Sequence, residues 1–452
     1  MWCAPTRSTT RSGTIHCWHA VPSDPPRPFA PRRRPEQRHR GACGRTRRDG
    51  GALIGGGRLV AGAPEGDRFA ALDGLRGLAA VIVVIYHALL ASAWGNGFQV
   101  VLGGGVPDSP LVGIVANTPV RYLVMGPEAV IVFFVLSGFV LTWPMLGGRG
   151  LDLWSYYPRR ILRLWLPSAA AMVLAMVLIL VTAQRPEDAP SMWGRTYSFP
   201  TLSAGDVLNS FFLLTGDTKL NNPLWTLRWE LLFSLLLPVA FLLVVRIRRR
   251  HGLWLLVPGL AVAVGNAFSV PALTYGAVFL AGGVVAVMLR QDAGPRSAVA
   301  NGAMALGGLL LIGVPDAVRV LLPAIPAPVR AGTQGLVVVG AALIVLALTR
   351  RSLLSRLLGS APLRFLGRIS FSLYLVHVPI LIAAVHVAPG TPHRALLIAI
   401  PVAFVVAWIF MRVVEQPSAR FSRTVGRRVS VFVAGLEADR DALPGRVGLQ
   451  DR

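Results

Sequence analysis

The chain has 452 residues, 54% of them hydrophobic and 15% charged, with a formal net charge of +24 at pH 7. A mean hydropathy of +0.58 excludes an ordinary soluble globular domain. The charge does not indicate nucleic-acid binding, because the basic residues cluster at the N-terminus and in alternate short loops, as in membrane proteins. The composition therefore predicts a membrane protein, and its strong preference for Arg over Lys suggests a bacterial source.

Residues 1–66 are rich in Arg, Pro and Gly and show no hydrophobic periodicity. Such a segment cannot bury enough apolar surface to fold, and it lacks the apolar stretch of a signal peptide. We interpret it as a disordered basic cytoplasmic tail. The alternative is a translation start further along, near Leu59 or Val60. All three cysteines lie in this segment, which excludes a catalytic cysteine from the rest of the chain.

Residues 67–421 contain ten apolar segments near the length needed to cross a bilayer, roughly 20 residues. With the N-terminus inside, the inner loops carry more basic residues than the outer loops. The pattern predicts an all-α polytopic membrane protein with about ten transmembrane helices, both termini cytoplasmic, and a basic cytoplasmic tail at 422–452. The predicted spans are 69–92, 127–147, 165–184, 223–245, 253–269, 272–289, 299–315, 332–349, 370–388 and 394–413.

The first span, in LDGLRGLAAVIVVIYH, carries three ionisable residues. A helix places Arg76 and His87 on one face, about 16 Å apart along its axis, with Asp73 about 40° from the same line. Ionisable groups at membrane depth are costly and usually functional. An interfacial anchor is the alternative for Arg76, and a structural histidine for His87. Because imidazole can accept a proton from a hydroxyl at neutral pH, the row predicts a membrane enzyme with His87 as general base.

Four further polar residues lie in or beside later spans. Arg160 and Arg163, in YYPRRILRLWLP, share a helix face and suit either a phosphate clamp or ordinary positive-inside charge. Glu230, in NNPLWTLRWELLFSLLLP, requires a partner, and the neighbouring Arg228 points to the opposite side. His377, in LGRISFSLYLVHVP, is either a second polar group facing the same cavity or a packed histidine.

The outer segment MWGRTYSFP contains Trp193, Tyr197 and Phe199, whose rings suit either sugar stacking or an interfacial aromatic belt. The sequence shows no Walker loop, no Ser-centred hydrolase motif and no spacing of His and Cys typical of a metal site. We therefore expect no bound metal or cofactor, and the membrane-embedded part must carry the activity.

Six segments, in this order, resemble the acyltransferase 3 family of integral-membrane acyltransferases. They extend over about residues 68–421: RFAALDGLRGLAAVIVVIYH, GPEAVIVFFVLSGFVLT, YYPRRILRLWLP, NPLWTLRWELLFSLLLP, LGRISFSLYLVHVP and VVEQPSARF. The resemblance implies transfer of an acyl group, often acetyl, from a cytoplasmic acyl-CoA such as acetyl-CoA to a hydroxyl. The implied acceptor is a saccharide, a glycolipid or a glycosylated small molecule, as in cell-envelope O-acetylation, and the implied location is the cytoplasmic membrane.

The resemblance also implies roles for individual residues. The family's Arg-x10-His pair falls on Arg76 and His87, its RxxR pair on Arg160 and Arg163, and its SGF turn begins at Ser137. Its span-four acid falls on Glu230. Together with the positions of the residues, the resemblance leads us to expect three groups: His87 as catalytic residue, with Asp73 orienting Arg76; Arg76, Arg160 and Arg163 as acyl-donor ligands; and Glu230, His377 and Ser137 in an acceptor site or cavity. The sequence departs from the family pattern at Arg228, Trp229, Ser234 and Phe371.

A transporter or flippase is the main alternative, because charges at membrane depth suit transport equally well. Two similar halves with paired broken helices would favour it, and the sequence shows none. A purely structural membrane protein is the third possibility, although it leaves the polar row unexplained. Consumption of acyl-CoA separates the enzyme from both.

Overall fold

The computed structural model describes residues 69–147, 151–214, 219–246, 251–291, 297–322 and 324–442. The predicted tail at 1–66 lies outside the described residues. Within them the chain is almost entirely helical and contains no β-strand.

Twelve helices form the body of the described chain: α1 Ala70–Ala91, α2 Gly126–Thr142, α3 Leu153–Thr182, α4 Leu224–Leu235, α5 Leu237–Val245, α6 Leu256–Ala267, α7 Pro271–Gln291, α8 Ala298–Leu321, α9 Gln334–Leu348, α10 Ala361–Val387, α11 Pro392–Phe410 and α12 Gln416–Ala442. Shorter helices occupy the connections: Gly95–Leu102, Pro110–Asn117, Met192–Thr196, Ala204–Ser210, His251–Trp254, Ala327–Gly332 and Leu353–Leu358. The 3₁₀ turns are Pro119–Val124, Trp143–Gly147 and Pro186–Asp188, and a π-helix, Met411–Glu415, joins α11 to α12.

The all-α, multi-pass prediction is confirmed, but the number of spans is lower than ten. Eight helices of the described chain are long and apolar enough to cross a membrane, or nine if α4 and α5 form one span bent by 64°. The span predicted at 253–269 is instead α6, with 12 residues. At 1.5 Å per residue α6 reaches about 18 Å, well short of a hydrocarbon core of about 30 Å. The cytoplasmic location of the termini stays a prediction.

Helix α3 begins twelve residues before the span predicted at 165–184. The Asp152 side chain caps it by accepting a hydrogen bond from the Ser155 backbone N–H at 3.1 Å. Hydropathy located only the apolar part of this helix, because its first turns are polar. Arg160 and Arg163 consequently lie within the helix and not in the loop before it.

Helices α1 and α10 run parallel, with their backbones in direct contact. A Cβ atom on Gly77 would lie 2.5 Å from the backbone nitrogen of Gly367, and one on Gly367 would lie 2.1 Å from the carbonyl oxygen of Asp73. Only glycine permits this approach. Helix α10 is also the most buried of the apolar spans. The two glycines therefore fix how α1 and α10 align along their axes. These helices carry His87 and His377.

Candidate active site

Two buried histidines face each other across the contact between α1 and α10. The Nε2 atom of His377 lies 3.1 Å from the Nδ1 atom of His87, and their side chains are almost fully enclosed. Each Nδ1 atom also contacts the backbone carbonyl oxygen of the residue four positions earlier in its helix. The distance is 3.0 Å from His87 to Val83 and 2.9 Å from His377 to Leu373. The structure thus brings together two residues that lie 290 positions apart in the sequence.

This geometry selects one arrangement of protons for the neutral pair. A carbonyl oxygen only accepts, so the Nδ1 atom of His377 carries its hydrogen and the Nε2 atom is an acceptor. His87 must then donate through its own Nδ1 atom, toward both His377 and Val83. The Nε2 atom of His87 is left without a proton, which is the state that a general base requires.

A cleft with about 400 Å³ of empty space lies one helical turn from the histidine pair. Its lining includes Arg76, Ser137 and Glu230, three residues singled out in the sequence. Tyr374 also lines the cleft, with its ring centroid 5.9 Å from that of His377 and its hydroxyl 2.8 Å from Oγ1 of Thr226.

Glu230 forms an ion pair with Arg160 and not with its sequence neighbour Arg228. The carboxylate oxygen lies 2.6 Å from an Arg160 guanidinium nitrogen, and the Arg160 Nε–H donates to the Ser234 hydroxyl at 2.8 Å. Both charged side chains are largely buried, at 13% and 15% exposure. The sequence interpretation assigned these residues to opposite substrates, whereas the structure places them in one contact.

A second group of charges surrounds Arg76, which lines the cleft. Glu415, in the π-helix after α11, interacts electrostatically with Arg76 and Arg163. It also accepts a hydrogen bond from the Ser372 hydroxyl at 2.5 Å. Asp73 is exposed and interacts electrostatically with Arg76 and Arg364, and its orienting role stays a prediction. π-Helical insertions occur frequently at functional sites, and this one carries Glu415 to the arginines.

Sequence reasoning missed a buried ion network outside the lining of the cleft. Asp316 lies 3.2 Å from Arg319 and 3.3 Å from Arg121, and Arg121 lies 3.5 Å from Glu128. Three of the four side chains are almost completely buried. The weak signals were a glutamate at the start of α2 and the i,i+3 spacing of Asp316 and Arg319.

Within the described part of the chain, no three His, Cys, Asp or Glu side chains are grouped so that they could hold a metal ion.

The sequence matches the family described as Acyltransferase domain over residues 69–412. It is also similar to Acyltransferase MdmB of Streptomyces mycarofaciens, with 28% identity over 348 residues that cover 69% of this chain and 84% of the relative. No solved structure matches it.

Proposed function

The chain belongs to this acyltransferase family, acyltransferase 3, and from that premise we propose that it transfers an acyl group, preferably acetyl, from acyl-CoA to a hydroxyl of a saccharide, glycolipid or glycosylated small molecule. The membrane acyltransferase character follows from the family and from the apolar helices. The proposal adds the donor, the acceptor class and a location in the bacterial cytoplasmic membrane. The observation that carries it is the His87–His377 pair beside a cleft lined by Arg76.

His87 acts as the general base in the proposed mechanism. Its Nε2 atom takes the proton of the acceptor hydroxyl while the hydroxyl oxygen attacks the thioester carbonyl carbon. The tetrahedral intermediate then collapses, the C–S bond breaks, and the CoA thiolate leaves and takes the proton from His87. The products are an O-acyl ester and free CoA, with His87 restored. Throughout the reaction the Nε2 atom of His377 accepts a hydrogen bond from the Nδ1–H group of His87. With the Val83 carbonyl, this bond holds the His87 ring in its reactive tautomer. Transient acylation of His87 itself is the covalent variant of this route.

The arginines bind the donor in this proposal. A guanidinium group offers planar donors that match phosphate oxygens, so Arg76 and Arg163 suit the nucleotide end of CoA. Arg160, held by Glu230, completes this basic end of the cleft. The distance of about 16 Å between Arg76 and His87 along α1 is one that an extended pantetheine arm can bridge. The thioester then lies beside His87.

The test supplies acetyl-labelled acetyl-CoA to membranes that contain the wild-type chain, His87→Ala or His393→Ala, together with an extract of the native host. His393 stacks on Trp94 and serves as the matched control. We expect label in a saccharide or glycolipid with wild type and control, and a loss on the order of 10²-fold to 10⁴-fold with His87→Ala. Full transfer by His87→Ala at equal membrane levels would contradict the mechanism. Absence of acetyl-CoA consumption by the wild type would favour the transporter.

A further inference from the structure

The segment that follows α3, residues 185–199, is hydrogen-bonded to both helices of the histidine pair and packs on His87. The Ser191 hydroxyl donates to the Leu90 carbonyl at 2.6 Å, which ties the segment to the end of α1. The His386 Nε2 atom lies 3.0 Å from the Arg185 carbonyl and ties it to α10. The segment is therefore anchored to the two helices that carry His87 and His377.

This anchoring holds two aromatic rings over His87. The Trp193 ring centroid lies 5.3 Å from that of His87, and the Tyr197 ring lies 4.9 Å from that of Trp193. Both aromatic side chains are only partly buried, so part of each remains accessible. An interfacial belt accounts for aromatic residues at a membrane surface, but it does not account for an indole packed on a catalytic imidazole. The apolar C–H face of a sugar ring packs well on such an aromatic surface.

Two neighbouring asparagines complete the surroundings of these rings. The Asn222 side-chain amide donates to the Tyr197 hydroxyl, and the same side chain is in hydrogen-bonding contact with His87. Asn221 is completely buried and donates to the Leu375 carbonyl at 2.9 Å. Because a carbonyl only accepts, this bond fixes which Asn221 atom is nitrogen.

The remaining Asn221 oxygen has no hydrogen-bond partner within the described chain. A buried acceptor without a donor costs free energy, and a ligand hydroxyl would supply that donor. Asn221 directly precedes Asn222, whose side chain contacts His87, so the orphan oxygen lies one residue from a side chain that contacts the histidine pair.

We propose that Trp193, Tyr197, Asn221 and Asn222 form the acceptor subsite and that it binds a sugar ring. The ring lies on the aromatic surface, one hydroxyl donates to Asn221, and an adjacent hydroxyl meets the Nε2 atom of His87. Donor and acceptor thus reach His87 from different sides, the donor from the Arg76 cleft. This inference rests on the proposed function, because it names the acceptor class of the same site.

The experiment measures two reactions of the purified full-length protein with acetyl-CoA: hydrolysis by water and transfer to added sugars. The probes are methyl glucopyranoside, galactopyranoside and mannopyranoside, with the acyclic sorbitol as a hydroxyl-rich molecule that has no ring. The variants are Trp193→Ala, Trp193→Phe, which keeps an aromatic face, and Trp94→Ala, the matched control on another outer segment. Thermal unfolding shows whether each variant folds.

We expect transfer to at least one pyranoside in preference to sorbitol. Trp193→Ala should raise the KM for that sugar at least tenfold, and Trp193→Phe should recover part of the loss. Trp94→Ala should match wild type in both the KM for the sugar and the rate of acetyl-CoA hydrolysis. Equal KM values for wild type and Trp193→Ala would overturn the subsite. So would acetyl-CoA consumption that depends on His87 but transfers to none of the pyranosides. Failure of the wild type to consume acetyl-CoA overturns instead the proposed function.

Discussion

Gly77 and Gly367 meet where α1 and α10 are in backbone contact. The two glycines are 290 residues apart in the sequence, the same separation as that of His87 and His377. Each histidine follows its glycine by ten residues, about 15 Å along a helix axis. Because the helices are parallel, the close contact between the glycines places the two histidines opposite each other ten residues further along. The crossing is therefore part of the catalytic architecture although it contains no reactive group.

Gly77→Ala should lower both thermal stability and acyl transfer, because the new Cβ atom would lie 2.5 Å from the Gly367 nitrogen and push the helices apart. The matched control is Gly307→Ala in α8, where a Cβ atom meets nothing within 4 Å. That change should be neutral or stabilising by up to about 1 kcal/mol, the difference in helix propensity. Thermal unfolding in detergent and initial transfer rates check both; equal melting temperatures for the two variants would contradict the close contact.

His377→Ala should reduce kcat on the order of 10-fold to 100-fold, because His87 loses one of the two acceptors for its Nδ1 hydrogen and only the Val83 carbonyl is left to orient the ring. His377→Gln should recover part of the rate, because its amide oxygen can accept the same hydrogen bond. The KM for acetyl-CoA should change little in either variant. Steady-state kinetics with varied donor provide the measurement. A uniform fall with no difference between Gln and Ala would indicate a packing role instead.

Arg163→Ala should raise the KM for acetyl-CoA about tenfold, the value of one charge-assisted phosphate contact of about 1.5 kcal/mol. Arg159→Gln is the charge-matched control: Arg159 is an exposed residue one helical turn before Arg163 on α3, and its removal takes away the same charge. Its KM should stay near that of wild type. The measurement is the KM for acetyl-CoA at two salt concentrations, because binding of phosphate by an arginine weakens as salt rises. Equal KM shifts for both variants would mean that only overall charge matters.

Arg160→Met and Glu230→Met should each destabilise the protein by about 1–3 kcal/mol, because each leaves one charge largely buried without its partner. The double variant should lose less than the sum of the two single variants. A double-mutant cycle on the free energy of unfolding measures this coupling. Additive losses would show that the 2.6 Å contact contributes nothing to stability.

Asp316→Asn should lower stability by about 1–3 kcal/mol, because it removes the negative charge between Arg121 and Arg319. The KM for acetyl-CoA should not change, since the network lies outside the donor cleft. Asp188→Asn, at an exposed position outside the network, is the control and should leave both quantities unchanged. Melting temperatures and donor KM values test both statements; an altered KM in Asp316→Asn would connect the network to donor binding.

The apolar runs were sufficient to predict an all-α membrane protein, because spanning a bilayer requires long stretches of hydrophobic residues. They misplaced features that hydropathy does not encode. The polar first turns of α3, capped by Asp152, lie outside the span predicted at 165–184. The segment at 253–269 was read as a span, although its helix α6 has only 12 residues.

The sequence by itself determined the membrane class, the family resemblance, and the choice of Arg76, His87 and Glu230 as residues with chemistry, because charged or polar groups in apolar helices are conspicuous in one dimension. Only the tertiary structure decided which of them meet. The His87–His377 contact and the Arg160–Glu230 pair join residues that are 290 and 70 positions apart. Such contacts depend on helix register and crossing, and these are set by backbone approach at glycines such as Gly77.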